Sequence, residues 1–271
     1  MRPLFDVASA WEGLKGRPLV HQLTSAVAAS WQADVTAAVG ASPVFSAHPE
    51  EAREIASRAD ALLLNTGMAT GGSPQAFAEA LAGLGEGRPC LVDPVGYGLT
   101  AWRTAWIDGL LASGRPMAVK GNGAEMARLG KTGGILHGVE AAQAEGVTKG
   151  LFSLAARGGL FLLVATGPED RLCFQGRLWT VRGGSPRLPA LVGSGCCLGS
   201  VMAACLAVAD PLSAGLAALL AFRLAAERAL PAAGPARYRQ AFIDGLASLG
   251  GSDLEEGRAR IAGPFGRDEV L

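Results

Sequence analysis

Residues 188–209 read LPALVGSGCCLGSVMAACLAVA, a run without one charged side chain. Uncharged apolar stretches of this length reach the threshold for a membrane-spanning helix. The reading of this run therefore decides between a membrane protein and a globular one with a very apolar core. Pro189 and Gly193-Ser194-Gly195 break its first part into a turn, and Asp210-Pro211 closes its far side. The helix left between them is too short to cross a bilayer. A buried helix inside a folded core is the expectation.

Outward from that helix, short apolar runs recur, and most end in glycine or a small polar residue. They are PLVHQL (18–23), SPVFS (42–46), ALLLNTG (61–67), PCLVDPVG (89–96), MAVKGN (117–122) and LFLLVATG (160–167). Ala-rich amphipathic stretches such as 50–59 and 74–84 separate several of them. Strand and helix in alternation predict an α/β fold with a largely parallel central sheet flanked by helices. DRLCFQGRLWTV (170–181) departs from the alternation: two runs flank Gln175-Gly176, an antiparallel hairpin near a sheet edge. After Cys196 the chain reads as almost wholly helical through Leu249. No repeat, low-complexity tract or long linker interrupts residues 1–271, which read as a single domain.

Lys and Arg total 24 against 24 Asp and Glu, and no basic run stands out. This balance argues against a nucleic-acid partner and for a small molecule. The five cysteines form no CxxC pair and no Cys/His set with zinc spacing. Adjacent Cys196 and Cys197 are too close to bridge without strain. With no secretory signal in the opening residues, a reducing cytoplasm is the expected setting.

In open α/β sheets ligands gather beyond the carboxyl ends of the strands. The residues there are Asn65-Thr66-Gly67, Asp93-Pro94-Val95-Gly96, Lys120-Gly121-Asn122 with Glu125, and Thr166-Gly167. Two carboxylates, a cation, two amides and several glycines suit a phosphate site with Mg²⁺: acids for the metal, a cation for a phosphoryl group, glycines for close backbone approach. No histidine lies in these segments, so a Ser-His-Asp or Cys-His set is excluded there. The Gly193-Ser194-Gly195 turn adds first-turn amides at the positive end of a helix, a ready anion hole. A cysteine at that end has its thiolate favoured, which places Cys196 ahead of Cys197 for chemistry.

Plainer readings stand beside each of these. Gly195 and Gly199 at GxxxG spacing serve equally for close helix packing. Asp93 before proline suits a turn, Lys120 a solvated strand end, and Glu125 a complement to a helix dipole. His48 and His137 read as surface residues, and His21 is isolated from both in sequence. Trp102 and Trp106, four apart, read as one helix face on the core.

The ordered series PLVHQLT, GASPVFS, ADALLLNTG, VDPVGYG, VKGNGAE, ATGPED and VGSGC resembles the hydroxyethylthiazole kinase family, ribokinase-like enzymes of thiamin salvage. It runs from about residue 18 to at least 206. Single motifs such as DPVG occur in other ribokinase-like kinases, but the full order is far more specific. The resemblance implies a ribokinase-like domain that phosphorylates the hydroxyl of 4-methyl-5-(2-hydroxyethyl)thiazole with ATP and Mg²⁺. It also implies a homotrimer with substrate sites at subunit boundaries.

Carried over by position, Gly193-Ser194-Gly195-Cys196 matches the family's Gly-Thr/Ser/Ala-Gly-Cys element. Gly193 would contact the thiazole and Cys196 its hydroxyl, where related kinases carry an Asp base. Asn122 and Glu125 match an N-x-x-E element that serves Mg²⁺ and phosphate. Lys120, Thr166 and Gly167 fall at ATP, and Asp93 beside its phosphates and the metal. Gln22, Ser25, Phe45 and Asn65 fall on the thiazole side.

The chain departs from the family at several of these positions. The family's His-Cys-Ile-Thr-Asn is here His21-Gln22-Leu23-Thr24-Ser25, its Met is Phe45, and its Arg is Lys120. Ser25 lacks a ring-binding amide, Phe45 reshapes a wall, and Lys120 replaces a planar fork by a point charge. Two rivals follow: a related kinase for another small alcohol such as a hydroxymethylpyrimidine, and a nucleotide-binding descendant that transfers nothing.

Overall fold

The computed structural model describes residues 4–115, 117–132 and 144–271; His137 lies outside them. Each apolar run becomes a strand: β1 (Leu19–Leu23), β2 (Ser42–Phe45), β3 (Ala61–Asn65), β4 (Cys90–Asp93), β5 (Met117–Asn122) and β6 (Leu160–Thr166). The expected hairpin supplies β7 (Asp170–Phe174) and β8 (Arg177–Val181). Beyond residue 249, where the sequence reading assigned no element, Ile261–Phe265 forms β9 on the outer side of β8.

Among the described residues these strands make one nine-stranded sheet in the order β2-β1-β3-β4-β5-β6-β7-β8-β9. Pairing is parallel from β2 to β6 and antiparallel from β6 to β9. The helices are α1 (Val7–Glu12), α2 (Ala26–Ala38), α3 (Pro49–Arg58), α4 (Ser73–Gly83), α5 (Ala101–Leu111), α6 (Gly123–Leu129) and α7 (Ala144–Ala155). α8 (Ser194–Leu206), α9 (Pro211–Arg228), α10 (Gly234–Ala247), α11 (Gly251–Gly257) and α12 (Arg267–Val270) follow.

The central strands are apolar throughout because both of their faces are covered. Leu63, Leu91 and Ala118 belong to the cluster built with α8 and α9. Leu62, Leu64 and Val92 point the other way, into a cluster with α3 and α4. α8 itself is buried from Cys197 to Leu206, packed over β1, β3, β4 and β5. No helix of the described residues is long and apolar enough to cross a membrane. His48 caps α3 from an exposed position, as read from the sequence.

The tryptophan pair corrects one expectation. Trp106 packs on Phe77, with ring centroids 5.0 Å apart, but Trp102 rests on the Trp106 ring rather than on the core and stays 55% exposed.

α3 and α4 meet backbone to backbone at Gly83, where a Cβ would lie 2.1 Å from the Arg53 carbonyl oxygen. Overpacking of this kind costs about 1–3 kcal/mol, more than the roughly 0.5–1 kcal/mol that alanine gains over glycine in a helix. Gly83→Ala is expected to lower the unfolding free energy in urea. A variant as stable as the parent would show that the two helices part freely.

Candidate active site

Pleat and register gather the site. Asn65 on β3 lies opposite Asp93 on β4, and the Val92–Val119 pairing sets Asp93 beside Lys120 on β5. All three share the side-chain parity of Leu63, Leu91 and Ala118, so they face α8. Lys120 Nζ donates to Asp93 Oδ2 at 2.8 Å and to the Gly195 carbonyl at 2.9 Å, linking two strands to the first turn of α8. Asn65 Nδ2 donates to Asp93 Oδ2 at 3.1 Å, and its Oδ1 accepts the Gly67 amide at 2.9 Å.

Lys120 is 3% exposed and Asp93 1%, so the solvated reading of Lys120 is overturned: the carboxylate of the neighbouring strand holds it inside. Burial acts to lower the Lys120 pKa, but Asp93, then Cys196 and Glu125, hold it above the usual lysine value. Burial pushes the Asp93 carboxyl up against the opposing pull of Lys120.

The close-packing reading of the GxxxG spacing is seen at Gly199. A Cβ on Gly199 would lie 3.4 Å from Leu63 and 3.6 Å from Asp93 Oδ2, so this glycine lets α8 settle on β3 and β4. Gly193, with φ near +90°, makes the turn into α8. Of the first-turn amides, Ser194 N–H is spent on the Leu191 carbonyl at 3.1 Å and Cys197 N–H on Gly193. Among the described residues no backbone carbonyl accepts from the Gly195 or Cys196 amide.

The expected thiolate at Cys196 is a second correction. Burial first, and the Asp93 carboxylate next, push this thiol above its ordinary value, outweighing Lys120 and Asn65. Desolvation defeats the helix end here. Cys197 is wholly buried and packs, as expected.

Asn122 and Glu125 form a capping box on α6. Asn122 Oδ1 accepts the Glu125 amide at 2.9 Å and Glu125 Oε2 accepts the Asn122 amide at 2.8 Å. Glu125 Oε1 also accepts the Gly96 amide at 2.9 Å, fastening the loop after Asp93 to the end of β5. Burial and then Asp93 push the Glu125 carboxyl up. Asp93 Oδ1 has no protein donor among the described residues. A divalent cation fits this donor set, since Mg²⁺ is commonly held by one or two carboxylates together with substrate phosphates.

On the nucleotide-side positions, Thr166 pairs in register with Asn122 and donates to the Gly121 carbonyl at 3.3 Å, and the Gly167 amide donates to Asp170. On the acceptor side, the reversal of strand order between β1 and β3 is the usual ligand crevice. Ser25, ahead of α2, lies there against Gly67, whose added Cβ would meet the Ser25 Cβ at 3.4 Å.

Gln22 does not join the cluster. Its register partner is Leu63, one pleat below Asn65, and its amide is spent inside the core. Gln22 Nε2 donates to Thr36 Oγ1 at 3.0 Å, and its Oε1 accepts Ser200 Oγ at 2.7 Å. Phe45 lies half-buried on the edge strand, three strand spacings or about 14 Å from β4. A cavity of about 470 Å³ lined by Lys15, Arg17, Gly40 and Pro43 opens at the opposite end of β1 and β2, remote from this cluster.

Two contributors escaped the sequence reading. Arg103 on α5 donates to the Thr66 and Val95 carbonyls and braces two of the loops. Gln32 on α2 donates to the Cys196 carbonyl at 3.0 Å and to Ser200 Oγ at 2.9 Å. Neither sits in a motif, and helix periodicity alone gives no sign of them.

Residues 14–251 match the model of the Hydroxyethylthiazole kinase family. The chain belongs to this family. It is similar to the hydroxyethylthiazole kinases of Moorella thermoacetica (37% identical, covering 89% of this chain and 91% of that one) and Methanoculleus marisnigri (38%, covering 90% and 88%). Its fold matches the structure of a Pyrococcus horikoshii hydroxyethylthiazole kinase with a TM-score of 0.83 at 29% identity, covering 94% and 98% of the two chains. A Staphylococcus aureus pyridoxal kinase solved with ADP shares the ribokinase-like fold alone, with a TM-score of 0.63 at 15% identity over 78% of this chain and 88% of that one. As a member of the hydroxyethylthiazole kinase family the chain is a phosphotransferase.

Removing one partner of a buried ion pair costs about 3–5 kcal/mol, whereas replacing both by apolar groups is often neutral. Lys120→Met is therefore expected to destabilise by that amount, and adding Asp93→Leu to recover most of the loss. Equal urea midpoints for the single and double variants would show that the pair is not coupled.

Proposed function

We propose that the chain transfers the γ-phosphoryl group of ATP to the primary hydroxyl of 4-methyl-5-(2-hydroxyethyl)thiazole, a step of thiamin salvage. One observation carries this reading: the unspent amides of Gly195 and Cys196 adjoin the Lys120–Asp93 pair at the carboxyl end of the sheet, in a chain of this family.

The hydroxyl oxygen bonds to the γ-phosphorus as the bond from phosphorus to the ADP oxygen breaks. Charge on the transferring group is met by the Gly195 and Cys196 amides, in a turn shaped by Gly193 and Ser194, and by Lys120. Thr166, Gly167 and Asn122 hold ATP. Ser25, Asn65, Gly193 and Phe45 border the thiazole, and Gln22 acts on that side only through Ser200.

In a loose transition state little base help is needed before the new bond forms. The raised thiol of Cys196 therefore positions the hydroxyl, and the alcohol proton passes late to a phosphoryl oxygen. Mg²⁺, held by Glu125 and Asp93, would neutralise phosphate charge. A cytoplasmic homotrimer belongs to the same reading. The position of Phe45 on an open sheet edge and the exposed Val27, Met68 and Val192 support the assembly.

A coupled ADP-release assay over a panel of alcohols tests the proposal. The thiazole alcohol is expected to turn over fastest. Preference for a hydroxymethylpyrimidine would reassign the acceptor, and nucleotide binding without transfer would remove the activity. Cys196→Ala is expected to lower kcat by about tenfold or more with ATP binding within about twofold; unchanged turnover would take the thiol out of the mechanism. Glu125→Gln should raise the Mg²⁺ concentration for half-maximal rate by about tenfold or more, and identical metal titrations would contradict its role.

A further inference from the structure

The turn after β6 is held from behind by a charged pair that phosphoryl transfer does not itself use. Arg223, on α9, places all five of its N–H groups. Nε donates to Asp170 Oδ2 at 2.8 Å, and Nη2 contacts Asp170 Oδ1 and the Gly167 carbonyl, both at 2.7 Å. Nη1 donates to the Pro168 carbonyl at 2.8 Å and to the Gly183 carbonyl. Asp170 Oδ1 in turn accepts the Gly167 amide at 3.0 Å. Gly167 is thus gripped at both its N–H and its C=O, one by each member of the pair.

The two side chains are 11% and 8% exposed. Burying such a pair is a poor way to gain stability, since apolar residues would serve the sheet as well. What the pair adds is geometry: a planar fork matched to one carboxylate and three carbonyls, which a lysine cannot reproduce. The fork stands on a long buried helix. One turn further along α9, Glu227 accepts the Gly184 amide at 2.7 Å, so both loops that flank the fork are fastened to the same support.

We infer that Arg223 and Asp170 are positioning residues for the nucleotide, fixing the Thr166-Gly167-Pro168 backbone in the geometry that receives ATP. This rests on the reading above, in which that turn contacts ATP.

The test compares the intact protein with Arg223→Lys and Arg223→Ala by steady-state kinetics, varying ATP and the alcohol separately. Both variants are expected to raise the KM for ATP by about 10- to 100-fold and to leave the KM for the alcohol within about twofold. Sub-denaturing guanidinium chloride should restore ATP affinity in Arg223→Ala, while methylammonium should not. If Arg223→Ala fails to fold, Arg223→Lys decides the matter, because it keeps a cation beside Asp170 and loses the carbonyl contacts. An unchanged ATP KM in Arg223→Lys, or equal losses for both substrates without guanidinium rescue, overturns the inference while leaving the kinase reading intact. A parent protein that neither binds nor turns over ATP overturns both.

Discussion

One ammonium group ties the site together. Lys120 reaches from β5 to a carboxylate on β4 and to a main-chain carbonyl in the first turn of α8, all with almost no access to water. Two opposite charges taken out of water are tolerable only when their remaining donors and acceptors are met. Here Asn65 and the Gly195 carbonyl help to meet them. The arrangement also leaves the site short of positive charge. Among the described residues Lys120 is the cation that acts on Asp93, Glu125 and the Cys196 thiol alike, and burial pushes all three toward their protonated forms. The Gly195 and Cys196 amides, the N–H that Lys120 does not place on Asp93 or Gly195, and an incoming cation are what remain to receive an anion.

The first turn of α8 must keep its place for this to work, and a closed set of polar side chains holds it from the other side. Thr24 donates to Gln32, Gln32 to the Cys196 carbonyl and Ser200, Ser200 to Gln22, Gln22 to Thr36, and Thr36 back to the Gln32 carbonyl. A buried network of this kind favours one arrangement because a broken link leaves a dry polar atom without a partner. Its members come from β1 and the residue that follows it, from α2 and from α8, the elements that border the acceptor crevice. The departure at Gln22 thus shapes the floor beneath the pocket instead of the pocket itself.

How much could be read from residues alone follows from what each feature depends on. The parallel strands were legible because two covered faces demand continuous apolar runs. The hairpin at Gln175-Gly176 was legible from its turn. β9 was not, since IAGPF carries glycine and proline, which are unfavourable in a strand until β8 supplies a partner. The candidates at the strand ends were found by topology, but their charge states were not. The dipole argument for a Cys196 thiolate omits the desolvation that dominates it. Lys120 looks solvated until Asp93 is seen on the next strand. Gln22 needed the register, because one pleat separates a wall residue from a core residue. Arg103, Gln32 and Arg223 act across long stretches of sequence, and nothing local distinguishes them from other helical side chains.

The two outermost strands share a property with a bearing on how the molecule behaves in a crowded solution. β2 carries Pro43 and β9 carries Pro264. In β2 the Ser42 amide turns inward to the Pro18 carbonyl, so the alternate nitrogen, that of Pro43, faces away from the sheet and has no hydrogen to offer. An exposed flank missing a donor is a poor template for a foreign strand. On the β2 side the apolar interior strands are therefore fenced against fibre-like growth.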